Sequence, residues 1–559
     1  MTLTRGFRLR AGVLVCTLAA AATAVTVAPR AHALQIDCAA GPAYGGDWPM
    51  MNHDLASTRD QTAEATIDAT NAPLLQPVWT FDANRWTHTT NNEVTGYPVE
   101  ADGCIFVGSN RGSDASGKHL GWVFALNSDT GDVAWQTKVD GGVYSTLAVS
   151  GGVVYAFVSR VGSPYVVALD ERTGRVLWQT TVDHQSGSDA VSSPVVYEGL
   201  VWVGVSGTAA ETSANDRGGF QGSTVLLAAK PLKAPRFVPV DAPTSSGARK
   251  YKPGQVVRKL YSIPPSVWKD GYAGASQWGT IAIDPTTGYG YEGTGNPFNY
   301  DHEHANTNAI LKMDLRPTRR TFGQIVGSYK GDIETYVQGT ANAVPCSQIE
   351  SVENTFAAGV ECAHLDLDFG ATPNIVTQPD GRRVVIAGQK SGVVHVVDAN
   401  TMKRVTETRL GIPSPVGGMV GSAATDGQHV YGVHTVGGYL YSLSTAGAPG
   451  WVSPIADGVH WGPPVTLANN VLYTVDLKGF LDAYDATTGR PLLALPMNQP
   501  FETGTNPTFS WGGVSVARNM VLASVGVGLT SAGLPSMPDG YVIAYRPLTA
   551  ASLVPAGVP

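Results

Sequence analysis

A few residues, far apart in the chain, have types and spacings that could do chemistry. Trp278 to Pro297 (WGTIAIDPTTGYGYEGTGNP) reads as two short strands joined by a Pro-Thr-Thr-Gly turn and ended by a Gly-Thr-Gly-Asn-Pro elbow. The hairpin carries a flat aromatic, Trp278, at one end. At the other it carries an amide, Asn296, on a backbone kept bare by Gly293 and Gly295. A platform and an oxygen ligand so placed could hold a planar, metal-bound group. The same residues also suit an ordinary hairpin, with Trp as core and Gly-Asn-Pro as turn. Asp366 and Asp368 (LDLDFG) are either a solvated loop pair or a source of a general base; Asp368, before an aromatic and a glycine, is the better placed. Lys390, in Gly-Gln-Lys-Ser-Gly, is a turn lysine or a positive charge for a developing anion. Glu211, in a polar loop after Ser206-Gly207, is a solvated acid or a hard oxygen ligand. His302, Glu303 and His304 have a metal-like i, i+2 spacing, but in a loop this is a polar rim, and no role is assigned to them.

The elements that must position these groups recur along the chain. A strand ends in Ala-Leu-Asp or a variant, a Thr-Gly turn follows, and a second strand closes on Trp. Val123 to Trp135 (VFALNSDTGDVAW), Val166 to Trp178 (VVALDERTGRVLW) and Leu481 to Leu492 (LDAYDATTGRPL) show the pattern, and weaker copies start at Ile310, Val394 and Leu440. Units of this kind, each with about four alternating strands, predict an all-β chain: an eight-bladed β-propeller, in which blades bury one another's faces. Units close near Trp79, Trp135, Trp178, Leu260, Val326, Arg409, Val452 and Leu493. The last strand, Tyr541 to Tyr545, has no closing partner and the first, Leu74 to Phe81, no opening one. Pairing them would seal the ring and remove two edges. The expected organisation is a signal segment (1–33), an N-terminal extension packing on the propeller (34–73), the propeller (74–547) and a tail (548–559). Residues 208–222, 236–258, 298–308 and 330–367 read as rim insertions.

The N-terminus carries Arg5, Arg8 and Arg10, then an apolar run from Ala11 to Ala28 and an Ala31-His32-Ala33 site. This predicts export with cleavage after Ala33. No later run is long enough for a spanning helix, so no stable membrane insertion is expected. Removing four arginines and no acid leaves 33 basic against 45 acidic residues, a net charge of −12. That balance excludes nucleic acid as partner, which needs a basic surface. Four cysteines then remain and allow three pairings. Cys38–Cys104 with Cys346–Cys362 is the expected one, the second tying the base of a long loop. No Cys-x-x-Cys-His is present, so no covalently attached haem is expected.

The repeat Ala-x-Asp-x-x-Thr-Gly-x-x-x-Trp resembles the tryptophan-docking repeat of the pyrroloquinoline quinone (PQQ) dehydrogenases, over roughly Trp48 to Arg546. Through GTGNP, LDLDFG and GQKSG the chain is most similar to the polyvinyl-alcohol dehydrogenase type. The resemblance implies that Trp278 stacks under the quinone and that Asn296 binds calcium. It implies that Asp368 is the catalytic base, also at the calcium, with His364 four residues before it. Lys390 would contact the quinone oxygens. Ser206-Gly207 would enter the cofactor pocket, with Trp461 and Trp511 as further contacts. The family's second calcium ligand is a Glu where this chain has Ala209, and Glu211 two residues on is the substitute. The adjacent Cys-Cys pair of many members is absent. Gly370 stands two residues after Asp368 where some relatives carry an extra Asp, which favours calcium over a lanthanide. The implied function is oxidation of an alcohol, secondary or polymeric, by an exported enzyme using PQQ and Ca²⁺, with electrons passed to an external acceptor such as a cytochrome c. The displaced Glu211 and missing cysteines leave one alternative, a non-catalytic propeller acting as scaffold or binding module.

Overall fold

The computed structural model describes residues 37–41, 44–88, 92–111, 120–211, 217–233, 250–299, 302–331, 366–411, 418–435, 438–454, 464–476, 479–497, 512–526 and 540–548. Cys346, Cys362, His364, Trp461 and Trp511 lie outside these residues.

Eight antiparallel sheets follow one another along the chain as the blades of a propeller. They span 99–139, 148–181, 195–261, 282–330, 374–409, 424–454, 466–496 and 514–547, numbered here blades 1 to 8. First strands of successive blades lie side by side around the axis, as in blades 1, 2 and 3. Second and third strands are covered on both faces by neighbouring blades, so they read as unbroken apolar runs. Leu200–Val205 (LVWVGV) is buried at every position, whereas the outer strand Val176–Thr181 is largely exposed. Blade 8 takes its outer strand from the start of the ring: Leu75–Asp82 pairs with Tyr541–Pro547, with Thr80 opposite Ile543. The expected closure is present.

The repeat motif has a physical basis at each position. In every blade the pairing of the two outer strands slips once; in blade 2 the slip falls between Ala168 and Leu169, just before the motif's Asp. Asp170 Oδ1 then accepts from the backbone N–H (3.1 Å) and hydroxyl (2.7 Å) of Thr173, and its carbonyl accepts from Gly174 N–H at 2.8 Å. Gly174 has a φ of +67° and lies so close under the Trp135 ring of blade 1 that a Cβ would sit 2.4 Å from it. Trp135 Nε1 donates to the Glu171 carbonyl at 2.8 Å. Trp79 on Ser128 and Trp451 on Ala486 repeat the bond at 3.0 Å.

Residues 46–61 cross the first strands. Backbone bonds join Gly46 to Arg518, Trp48 to Glu100, Pro49 to Val149, Leu55 to Ile283, Ala56 to Ile375, Thr58 to Thr425 and Arg59 to Leu467. Arg59 is fully buried, donating to the carbonyls of Val465 (2.8 Å) and Val514 (3.1 Å). Cys38 and Cys104 form the expected disulfide to blade 1. Among the described residues no helix is long and apolar enough to cross a membrane.

Candidate active site

Alternating strand direction gathers second-strand ends and first-strand starts at one end of the blades. Ser206 and Gly207 follow the second strand of blade 3, Leu200–Val205. Asn296 follows Tyr289–Gly293 of blade 4, and Lys390 follows Arg383–Gly388 of blade 5. Trp278 and Asp368 precede the first strands of blades 4 and 5, Ala282–Asp284 and Asn374–Thr377. All five segments therefore sit at the same end of three consecutive blades.

The side chains of Trp278, Asp368 and Lys390 meet. Trp278 Nε1 donates to Asp368 Oδ2 at 2.8 Å. Lys390 Nζ donates to the same oxygen at 3.3 Å, and to Asp366 Oδ1 and Oδ2 at 2.9 and 2.8 Å. The ammonium stands 5.3 Å from the centre of the Trp278 ring. Backbone bonds tie the loops together: Lys390 N–H to the Asp368 carbonyl (3.0 Å), Phe369 N–H to Thr294 (3.3 Å) and Gly295 N–H to Ser276 (2.8 Å). Gly207 N–H donates to Ser276 Oγ at 3.1 Å, which brings the blade 3 segment beside the residues leading to Trp278. The glycines here permit close approach. A Cβ on Gly370 would lie 2.0 Å from Trp278, and one on Gly293 would lie 2.0 Å from the Phe369 carbonyl oxygen.

Burial, then the neighbouring charge of Asp366, pushes the Asp368 carboxyl well above the usual carboxylate range, against the pull of Lys390. Burial alone would lower the Lys390 ammonium, but the charges of Asp366, Asp368 and Glu211 outweigh it and hold it above its ordinary value. Glu211 closes a single helical turn, Thr208–Glu211, and its charge is felt at both Asp368 and Lys390. Two buried polar atoms have no hydrogen-bond partner, Asn296 Nδ2 and Asp368 Oδ1. Orphaned buried atoms are uncommon and mark where a bound group would be satisfied. Among the described residues no three acids, histidines or cysteines approach closely enough to hold a metal by themselves.

The histidine-rich segment is otherwise engaged. His302 and His304 face the Tyr272 ring at 5.5 and 5.7 Å, His304 Nδ1 accepts from Asn306 N–H, and Glu303 pairs with Lys330. Asp366 is more than a solvated acid, since both its oxygens clamp Lys390. The signal was its i, i+2 spacing to Asp368, which puts both side chains on one side of an extended segment.

Known proteins resemble the chain along most of its length. A family model described as "Outer membrane protein assembly factor BamB" matches residues 63–216. A polyvinylalcohol dehydrogenase of Pseudomonas sp is 27% identical over 454 residues, covering 76% of this chain and 64% of that protein. A second, from Sphingopyxis sp. (strain 113P3), is 24% identical over 489 residues, covering 80% and 67%. The chain thus spans about two thirds of the length of these relatives. Among solved structures, quinohemoprotein alcohol dehydrogenase from Comamonas testosteroni superposes with a TM-score of 0.62 at 18% identity, covering 90% of this chain and 82% of that one. At that identity the likeness speaks for the fold.

Proposed function

We propose that this protein is an alcohol dehydrogenase using PQQ and a calcium ion at the meeting point of blades 3, 4 and 5. One observation carries the reading. Asp368 Oδ2 is held by Trp278 and Lys390, while its Oδ1 is buried and free. A carboxylate with one oxygen anchored and the other open is arranged to take a proton from an alcohol hydroxyl.

The remaining roles follow from the chemistry of each group. Trp278 forms one wall for a planar ring system. Lys390 brings positive charge toward oxygens that gain electron density during the reaction. Asn296 and Glu211, with Asp368, offer the hard oxygens that calcium prefers; exchanging the two ends of the Asn296 amide would turn its oxygen to the unpartnered position. Ser206 and Gly207 border the pocket, and Trp511 is a further wall candidate. Bound PQQ would supply the two-electron acceptor, polarised by the cation. Asp368 takes the hydroxyl proton while the alcohol carbon gives up its hydride. A cation beside Asp368 would add to the pull of Lys390 and lower the pH at which it loses its proton.

The relatives' names point to a secondary or polymeric alcohol. The reading includes export after cleavage near Ala33 and an external electron acceptor such as a cytochrome c. The test is dye reduction by the purified protein loaded with PQQ and Ca²⁺, across primary alcohols, secondary alcohols and polyvinyl alcohol. Secondary and polymeric alcohols should give the highest kcat/KM, and no turnover with any alcohol would refute the reading. A scaffold is the second reading, favoured by the match of residues 63–216 to an assembly-factor model. Those residues precede Trp278, Asp368 and Lys390, and a scaffold would bind no cofactor.

A further inference from the structure

Asp368 is flanked by two residues that are both anchored from beneath. On one side, the Leu367 carbonyl accepts from Gln389 Nε2 at 2.9 Å. On the other, the Phe369 ring packs edge-on against His395 at 5.2 Å and Tyr329 at 6.5 Å. The anchors are one chain of contacts. Gln389 Oε1 meets His395 Nε2 at 3.0 Å and accepts from Ser391 Oγ at 2.6 Å, and His395 Nδ1 meets the Tyr329 hydroxyl at 2.9 Å. Gln389, Ser391 and His395 are fully buried and Tyr329 nearly so.

The chemistry of these groups sets their hydrogens. A carbonyl only accepts, so the Gln389 nitrogen faces Leu367 and its oxygen faces His395. That oxygen also only accepts, so His395 carries a proton on Nε2. In the neutral imidazole Nδ1 is then the acceptor for the Tyr329 hydroxyl at 2.9 Å, with the Glu407 carboxylate farther off at 3.9 Å, beyond hydrogen-bond reach. The three side chains come from the outer strand of blade 4 (Ile325–Lys330), the second-to-third turn of blade 5, and the third strand of blade 5 (Val393–Asp398). They cross the blade 4–blade 5 seam directly under the loop bearing Asp366 and Asp368.

We propose that His395 is a positioning residue. Held as the Nε2–H tautomer by Tyr329, it fixes Gln389 and seats Phe369, and so keeps Asp366 and Asp368 in bonding register with Lys390. The proposal rests on the roles given above to Asp368 and Lys390, but its geometric half can be read without any cofactor.

The experiment compares wild type with His395→Phe, which keeps an aromatic ring on Phe369 but loses the Nε2 donor, and His395→Gln, whose amide nitrogen can replace it. The first readout is reductive methylation of the cofactor-free protein, followed lysine by lysine by mass spectrometry. Lys390 should react slowly in wild type and several-fold faster in His395→Phe, with partial return in His395→Gln. Lys312, also little exposed and bonded to the Asn400 carbonyl at 3.0 Å, serves as the control and should not change. The second readout is turnover with PQQ and Ca²⁺. There His395→Phe should lower kcat about 10- to 100-fold with little change in KM, the size expected for losing an outer-shell partner. Equal acceleration at Lys390 and Lys312 would show a merely structural role and overturn the proposal, as would unchanged Lys390 reactivity. If wild type shows no turnover, the methylation arm still decides the positioning claim, and the functional reading alone fails. Should His395→Phe not fold, Tyr329→Phe removes one hydroxyl; unchanged Lys390 reactivity there would overturn the tautomer lock.

Discussion

The joints between blades 8, 1, 2 and 3 differ in kind from those between blades 3, 4, 5 and 6. In the first group a tryptophan of one blade lies on the turn glycine of the next: Trp79 on Gly131, Trp135 on Gly174, Trp178 on Gly254. Among the described residues no tryptophan does this job in the second group. Arg258 Nε reaches the Gly323 carbonyl at 2.6 Å and the Tyr291 hydroxyl reaches Ala399 at 2.9 Å. Thr408 Oγ1 reaches Gly447 at 2.5 Å, a bond that Thr137 and Thr180 also make beside the tryptophans of the first group. The polar joints fall at the blades that carry Ser206, Trp278, Asn296, Asp368 and Lys390. Where a joint carries a tryptophan, its ring and, at Trp79 and Trp135, its Nε1 bond repeat on the next blade's turn. Where it carries none, other side chains with directional bonds hold the blades, and buried polar groups line the seam. Glu292 is an example: fully buried, it accepts from Thr224 Oγ1 across the blade 3–blade 4 seam at 2.9 Å, and burial pushes its carboxyl up to about 8.

Substitutions on the two sides should therefore separate activity from stability. The largest effect is expected at Asp368. Asp368→Asn should cut dye-linked turnover by about 10²- to 10⁴-fold, the usual contribution of a general base, while PQQ still binds. On the other side, Trp135→Ala should cost about 3–5 kcal/mol in a chemical-denaturation experiment, as for a large buried aromatic, and leave cofactor affinity of the folded protein unchanged. Gly370→Ala should combine both effects. Its Cβ displaces Trp278, costing about 1–3 kcal/mol by overpacking and weakening PQQ binding in the same titration. Arg258→Met should cost only about 1 kcal/mol, the worth of one hydrogen bond, read by the same denaturation.

The blade 3–blade 4 seam should also respond to pH. Folded Glu292 keeps its proton up to about pH 8, whereas an unfolded glutamate releases it near its ordinary value of 4.5. Between these values the folded state binds more protons, so stability falls as pH rises from about 4.5 toward 8. Glu292→Gln, which carries no titrating proton, should flatten part of that fall. An unchanged pH dependence would remove Glu292 from the account.

Much of the fold could be read from the sequence because it repeats. The Asp-x-x-Thr-Gly turn, its docking Trp, the eight closing strands and the seal between Leu74–Phe81 and Tyr541–Tyr545 follow from a local pattern seen many times. Trp278 and Asn296 share one hairpin, which alone suits an ordinary turn; their roles come from the resemblance. The contacts that do not repeat left no such pattern. Tyr329, His395 and Gln389 come from separate strands and turns, and no spacing links them. The path of residues 46–61 depends on backbone bonds to seven blades, which side-chain types do not encode. Glu211 stands two residues out of register with the resemblance, and it ends the helical turn Thr208–Glu211.

The most direct test of the central claim is a titration of the purified protein with PQQ, with and without Ca²⁺, following tryptophan fluorescence. The account predicts saturable quenching at one PQQ per chain. The quenching should require Ca²⁺ for full affinity and be weakened by both Trp278→Ala and Asn296→Ala. Absence of saturable quenching in wild type, or binding indifferent to both substitutions, would contradict it.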